Sequence, residues 1–205
     1  MKKYVLISLL CSLFLLTISC KKEDKKTSSE NKKTSSESKI KYAKEFDIIN
    51  ENGRKKLIMT AAFQNSNAIF EYEIKKKTPN AIVNYKNEVI EVPIQEIVVT
   101  STTHIPMVEL LNEETAIVGF PFAKYVSSEK TRFLIDQGRI KEIGKENSLN
   151  TEILLDLQPE LVVGYSVSST DKSLTTIKKA GISVIYNADW LEKTPLGRAE
   201  WIKFF

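Results

Sequence analysis

Histidine occurs once in these 205 residues, as His104, and cysteine twice, as Cys11 and Cys20. That scarcity removes most nucleophile–base pairs, because a hydroxyl or thiol nucleophile needs a positioned base beside it. A dedicated zinc site usually takes several His, Cys or carboxylate ligands, so none is expected. No G-x-S-x-G, H-E-x-x-H or Walker loop occurs. Enzymatic chemistry is therefore not expected, and neither is a resident cofactor or metal. A carboxylate-based hydrolase remains open, since it needs neither histidine nor thiol.

Long apolar runs are missing everywhere except at the start, where Val5 to Ile18 follows Lys2 and Lys3. At this length the run reads as the h-region of a signal peptide rather than a spanning helix, giving a leader over residues 1–19. It ends in Thr17-Ile18-Ser19-Cys20, which looks like a lipobox with Leu16 one place earlier than usual. Cys20 then becomes a lipidated N-terminus; ordinary cleavage near Ser19 is the alternative. Cys11 leaves with the leader, so a mature lipoprotein holds no free thiol, disulfide or thiolate metal site.

Apolar residues are nearly absent from the next stretch, KKEDKKTSSENKKTSSESKIKYAK, and the string KKTSSE occurs twice, at Lys25 and Lys32. The seven-residue period lacks apolar a and d positions, which excludes a coiled coil. Low hydrophobicity with high charge predicts a disordered tether over residues 20–44, with an r.m.s. reach of roughly 25 Å. Lys22-Glu23-Asp24 resembles a surface-export signal, but three charged residues within a charged tether read first as solvated filler. The tether holds nine lysines and four acids; without it and the leader, 19 basic and 22 acidic residues remain, a net charge of −3. The basic overall balance comes from the leader and tether, so no nucleic-acid partner is expected, and the tether's surplus favours anionic headgroups slightly.

Residues 45–93 read as short strands: Leu57 to Phe63, Ile69 to Ile74, Ile82 to Tyr85 and Val89 to Val92, an antiparallel meander with Pro93 at a strand end. From residue 94 strands and helices alternate. Strands are expected at Ile97 to Thr100, Ala116 to Gly119, Leu161 to Tyr165 and Val184 to Tyr186. Helices are expected at His104 to Leu111, with Ile105, Val108 and Leu110 or Leu111 inward, at Glu129 to Gln137, Thr151 to Leu157 and Leu174 to Ala180. This alternation predicts an α/β, Rossmann-like lobe over residues 94–194 with a mostly parallel sheet, preceded by the β-meander. Pro195 opens a last helix over residues 195–205. Its apolar face, Trp201, Ile202 and Phe205, meets no following residue, so the chain is expected to be an N-terminal fragment.

The most specific wording is Asn150 to Ser166, N-T-E-I-L-L-D-L-Q-P-E-L-V-V-G-Y-S. Asn150 or Thr151 can cap a helix, Pro159 stops it, and Leu161-Val162-Val163 is apolar on both faces, as in a covered parallel strand. The pattern N-x-E-x-[IL]-x-x-L-x-P-[DE]-L-[IV]-[IV] resembles the helix–strand signature of periplasmic substrate-binding proteins of ABC importers for ferric siderophores, haem and cobalamin. The resemblance covers about Ile94 to Phe205, and Ile97 to Ser101 looks like the family's opening strand. It implies two α/β lobes joined by one long helix, of which this chain holds the first lobe and the start of the helix from Pro195.

Candidate ligand residues follow from where strands end, since ligands of such sheets lie outside the carboxyl ends. They are Thr103 and His104 after the first strand, beside Thr102; Tyr125 after the second; Tyr165 and Ser166 after the third; and Trp190, with Asn187, after the fourth. The resemblance places aromatics of a cobalamin-binding relative at Tyr125 and Tyr165. Flat aromatic area suits a macrocycle or catechol. Each of these residues has loop packing as its alternative role. The family also pairs an acidic residue at the place of Glu152 with permease arginines; a first-turn glutamate stabilising the helix dipole is the other role. The implied partners are a metal-chelate ligand carrying Fe or Co, the permease subunits, and the membrane through the lipid. The implied place is the cell envelope, on the periplasmic side or exposed at the outer surface. A surface haem or siderophore scavenger without an importer is the competing reading.

Overall fold

Asn52 and Gly53 turn the chain between its first two long strands, both in the left-handed region at φ 52° and 76°, the backbone that a tight hairpin requires. The computed structural model describes residues 37–78, 88–145, 148–165 and 171–205. Their first sheet runs β1 (Glu37–Ser38), β2 (Phe46–Glu51), β3 (Arg54–Met59), β4 (Phe70–Lys76) and β5 (Val89–Val92) in that order. Register sets Phe46 opposite Met59 and Ile48 opposite Leu57, and Leu57 opposite Tyr72. These five side chains are buried on one face, as period-two alternation requires.

Two expectations for this segment need correction. The strand from Leu57 ends at Met59, not Phe63; Ala62 and Phe63 turn away and are buried in a second core cluster. The sheet is also not a pure antiparallel meander, because β5 pairs parallel to β4. A parallel return needs a connection of about a dozen residues, which the interval from Lys76 to Val89 supplies. The strand expected at Ile82 to Tyr85 lies outside the described residues.

The second sheet is fully parallel, in the order β12 (Val184–Tyr186), β11 (Leu161–Gly164), β6 (Ile97–Val99), β7 (Ile117–Phe120), β8 (Lys141–Glu142). A short ribbon of β9 (Gly144–Lys145) and β10 (Ser148–Leu149) follows; like β8, it is too short to show periodicity. Alternate residues divide between two cores. Ile97, Val99, Leu161, Val163 and Ile185 face the first sheet together with α1 (His104–Leu110) and α2 (Glu129–Asp136). Val98, Val162 and Val184 face α3 (Thr151–Leu157) and α4 (Lys172–Lys179). The strands are therefore covered on both sides, which explains their unbroken apolar runs. The α/β lobe with a parallel sheet, preceded by a mostly antiparallel one, is the fold read from the sequence.

Asn150 is the residue that caps α3, accepting from the Ile153 N–H at 3.1 Å. Gln158, in the left-handed region at φ 46°, ends the helix just before Pro159. In α1, Ile105 and Val108 point inward as expected, but Leu110 and Leu111 do not; they are 71% and 41% exposed. The helix stops at Leu110, so neither leucine completes another buried turn.

Residues 37–44, expected in the tether, belong to the fold, with β1 at Glu37–Ser38. Helix α5 (Pro195–Glu200), capped by Thr194, presents Glu200 to the backbone N–H groups of Lys41, Tyr42 and Ala43 at 2.5–3.0 Å. Glu192 accepts from the N–H of Lys44 at 2.9 Å. Burial alone would raise the Glu200 carboxyl, but the Lys203 ammonium and these three amides outweigh it and hold it down at about 2. Gly197 makes room for the clasp: a Cβ there would lie 2.6 Å from the Glu192 carboxyl. The last helix, expected to run to residue 205, stops at Glu200 and gives way to a 3-10 turn, Trp201–Phe204, and the apolar residues there are not bare. Trp201 is fully buried with its ring centroid 4.4 Å from that of Phe46, and Ile202 and Phe205 are half-buried.

Candidate functional site

Strand β6 opens the parallel sheet at its centre, so the chain winds outward from it in two directions: β7 and β8 on one side, β11 and β12 on the other. The switch point lies between β6 and β11, and a crevice at the carboxyl ends of strands forms at such a point. Thr100 bridges the two strand ends. Its hydroxyl donates to the Val163 carbonyl at 3.2 Å and accepts from the Tyr165 N–H at 2.6 Å. Tyr165 thus leaves β11 at a fixed angle, its ring centroid 5.8 Å from that of Trp190 at an interplanar angle of 68°. Edge-to-face packing of this kind is the preferred aromatic geometry.

Trp190 is held by a second buried residue. The Asn187 N–H donates to the Gly164 carbonyl at 3.0 Å, joining the ends of β12 and β11. Its side-chain oxygen accepts from the Asp189 N–H at 2.9 Å and so fixes the 3-10 turn Asp189–Leu191. Asp189 itself is buried. Burial raises its carboxyl above the usual carboxylate range, against the Thr103 hydroxyl, the Trp190 N–H and the Arg198 charge, which lower it. Thr100 and Asp189 were not singled out from the sequence. The signals available were a threonine at the last place of an apolar strand and an acidic residue two places after an asparagine.

The other candidates are placed differently. Thr103 is exposed at the start of α1, 2.9 Å from the Ser101 hydroxyl. His104 is completely buried beside Phe205, at 5.6 Å between centroids. Burial lowers its imidazole to about 3, opposed only by the Asn187 side chain. Among the described residues neither ring nitrogen has a partner at hydrogen-bond geometry, the Asn187 amide included, and the Asn187 Nδ2, Asp189 Oδ1 and Trp190 Nε1 atoms are also buried without one. Tyr125 is 61% exposed. Its turn is entered through Phe122, a non-glycine residue at φ 51°, and its ring pairs with Phe122 at 5.4 Å and lies under the Lys124 ammonium at 5.0 Å. Glu152 is exposed in the first turn of α3. Ser166 and Cys20 lie outside the described residues. The strand ends thus bring together Tyr165 and Trp190, with Thr103 reaching them through Asp189; His104, expected at the ligand, is instead turned into the core against Phe205, and Tyr125 lies on the loop after β7.

Two further observations bound the chemistry. Among the described residues no group of three or more His, Cys, Asp or Glu is placed to hold a metal, and no helix is long and apolar enough to cross a membrane. An apolar cavity of about 770 Å³ lies between the two sheets, lined by Ile48, Leu57, Ile90, Ile97, Leu161 and Phe205 among others. None of the candidate ligand residues lines it.

A parallel sheet covered on both sides, with its switch point between β6 and β11, is a doubly wound α/β lobe. No family model matches the chain. It is 30% identical over 128 residues to an uncharacterized lipoprotein of Methanocaldococcus jannaschii, over 60% of this chain and 30% of that one. A second uncharacterized lipoprotein of the same organism is 31% identical over 122 residues, 57% of this chain and 31% of that one. The chain therefore spans about a third of the length of the curated relatives it matches. In structure it is similar to part of a periplasmic haem-binding protein of Vibrio cholerae (18% identity, TM-score 0.36, 45% of this chain and 33% of the other). It is similar also to an iron-uptake ABC transporter substrate-binding protein of Streptococcus pneumoniae (19%, 0.37, 52% and 37%). A third likeness is to a periplasmic binding protein of Veillonella parvula (18%, 0.41, 69% and 40%).

Proposed function

We propose that this chain is part of the substrate-binding component of an ABC importer. In this reading it captures an iron-siderophore, haem or cobalamin-type ligand and delivers it to a permease from a lipid anchor at Cys20. The observation that carries the reading is the segment from Asn150 to Tyr165. Its wording resembles the family's signature, and in the fold it forms a capped helix, an inner parallel strand and an aromatic at the switch point. The lipoprotein names of the two archaeal relatives agree with an anchored, extracytoplasmic protein.

Ligand contacts in this reading come from Tyr165 and Trp190, with Tyr125 and Thr103 at the rim, and a second lobe supplies the facing wall. Glu152 is the docking residue, exposed on α3, which precedes β11 rather than following it. The test uses the protein of the native reading frame and its Glu152→Lys variant, titrated with hemin, a ferric catecholate and cyanocobalamin, beside uptake of the same compounds by cells. One compound should bind both proteins equally while the lysine variant fails in uptake, because like-charge contact at an interface costs several kcal/mol. Binding of none of the three would sink the ligand reading. Normal uptake by the variant would reduce Glu152 to a helix-start residue.

A further inference from the structure

We infer that Asn187 and Thr100, two buried residues that present no surface to a ligand, are the positioning residues of the Tyr165–Trp190 pair. This rests on the binding reading above, and it adds which residues set the geometry of the aromatic wall.

The argument starts from the two strand ends. β11 stops at Gly164 and β12 at Tyr186, and the aromatic pair follows just beyond both ends. One hydroxyl and one amide take over there. Thr100 is 4% exposed and uses both capacities of its hydroxyl, donating to Val163 and accepting from Tyr165. Valine would match its shape and supply neither bond. Asn187 is 0% exposed and closes a loop on itself: its N–H is tied to Gly164, its Oδ1 to the N–H of Asp189. An Asx turn of this kind sets the direction of the residue that follows, which here is Trp190. The two rings meet at 5.8 Å because both devices hold. At position 187 the side-chain oxygen does the holding, since the Nδ2 atom has no partner; aspartate retains that acceptor and leucine lacks it.

The protein reports on this directly. It has two tryptophans. Trp201 is fully buried and Trp190 half-exposed, so fluorescence that acrylamide quenches belongs to Trp190. Asn187→Leu should raise the quenching constant about twofold and speed exchange of the Asp189 amide roughly fivefold, the change expected from one lost hydrogen bond. Asn187→Asp should restore both. Thr100→Val should speed exchange of the Tyr165 amide in the same way while the far-UV circular dichroism stays that of the wild type. With hemin as the probe, Asn187→Leu and Thr100→Val should weaken binding about tenfold and Asn187→Asp should recover it. Unchanged quenching and exchange in Asn187→Leu, or no recovery in Asn187→Asp, would overturn the inference. Wild-type protein that does not bind hemin counts against haem as the ligand alone; the quenching and exchange results still decide the positioning role.

Discussion

His104 is the one side chain of this protein whose ordinary titration falls between pH 5 and 8, and the fold removes it from that range. Its reference value is 6.5 and burial lowers it to about 3. Above pH 6.5 the ring is neutral in both states and its contribution is fully present. Below it the unfolded chain takes up a proton that the folded chain refuses until about pH 3, so stability is lost as pH falls through that window. The slope reaches at most about 1.4 kcal/mol per pH unit. His104→Phe should flatten the stability profile between pH 6.5 and 5, and at pH 7 should cost less than about 1 kcal/mol, since it removes two unpaired buried nitrogens. Urea melts across that range check both. A wild-type slope retained by the variant would show that another group titrates there. The sequence marked His104 because of its rarity and its place after a strand; it carried no sign that α1 would turn the ring inward against Phe205, a residue 101 places away. Tyr165 and Trp190 were legible because each follows a short, wholly apolar strand. Asp189 was not, because an acidic residue in a loop reads as solvated until the packing of Thr103 and Arg198 around it is known.

At the scale of elements, the helix α3 and strands β11 and β12 were read from the sequence within a residue, because caps, Pro159 and unbroken apolar runs act locally. The parallel pairing of β5 with β4 was not, since hydrophobic alternation fixes which face a strand buries but not the direction of its neighbour. The segment before β2 was misread for a related reason. Composition assigns residues 37–44 to a tether, and partners far along the chain, the Glu192 and Glu200 carboxylates, join the β1–β2 pairing in making them part of the fold. That dependence can be measured. Glu200→Ala should destabilise the protein by about 2–4 kcal/mol, as expected for hydrogen bonds to a charged acceptor. It should also speed tryptic cleavage after Lys39, Lys41 and Lys44. The Glu200 contribution is present above about pH 4.5 and disappears as pH falls towards about 2, because the folded carboxyl titrates below its reference value. Cleavage as slow as in the wild type would mean that β1 and the Phe46–Trp201 contact hold the segment without the clasp.

For the molecule as a whole, the expected anchor is the part most easily tested in cells. Cys20→Ala should move the protein from the membrane to the soluble fraction, since a lipid chain supplies about 0.8 kcal/mol of membrane affinity per buried CH₂. Retention in the membrane fraction would reject lipidation at this residue. The clasp between Glu200 and the amides of Lys41 to Ala43 also has a meaning for how the chain acquires its fold. Its two halves lie up to 159 positions apart, and closing a span of that length costs entropy before any contact repays it. A ribosome releases the chain from its N-terminus, at about 5–20 residues per second. Residues 41–43 therefore wait many seconds for the carboxylate that holds them. During that interval residues 41–43 have no partner from α5, so the clasp is among the last contacts of the fold to form.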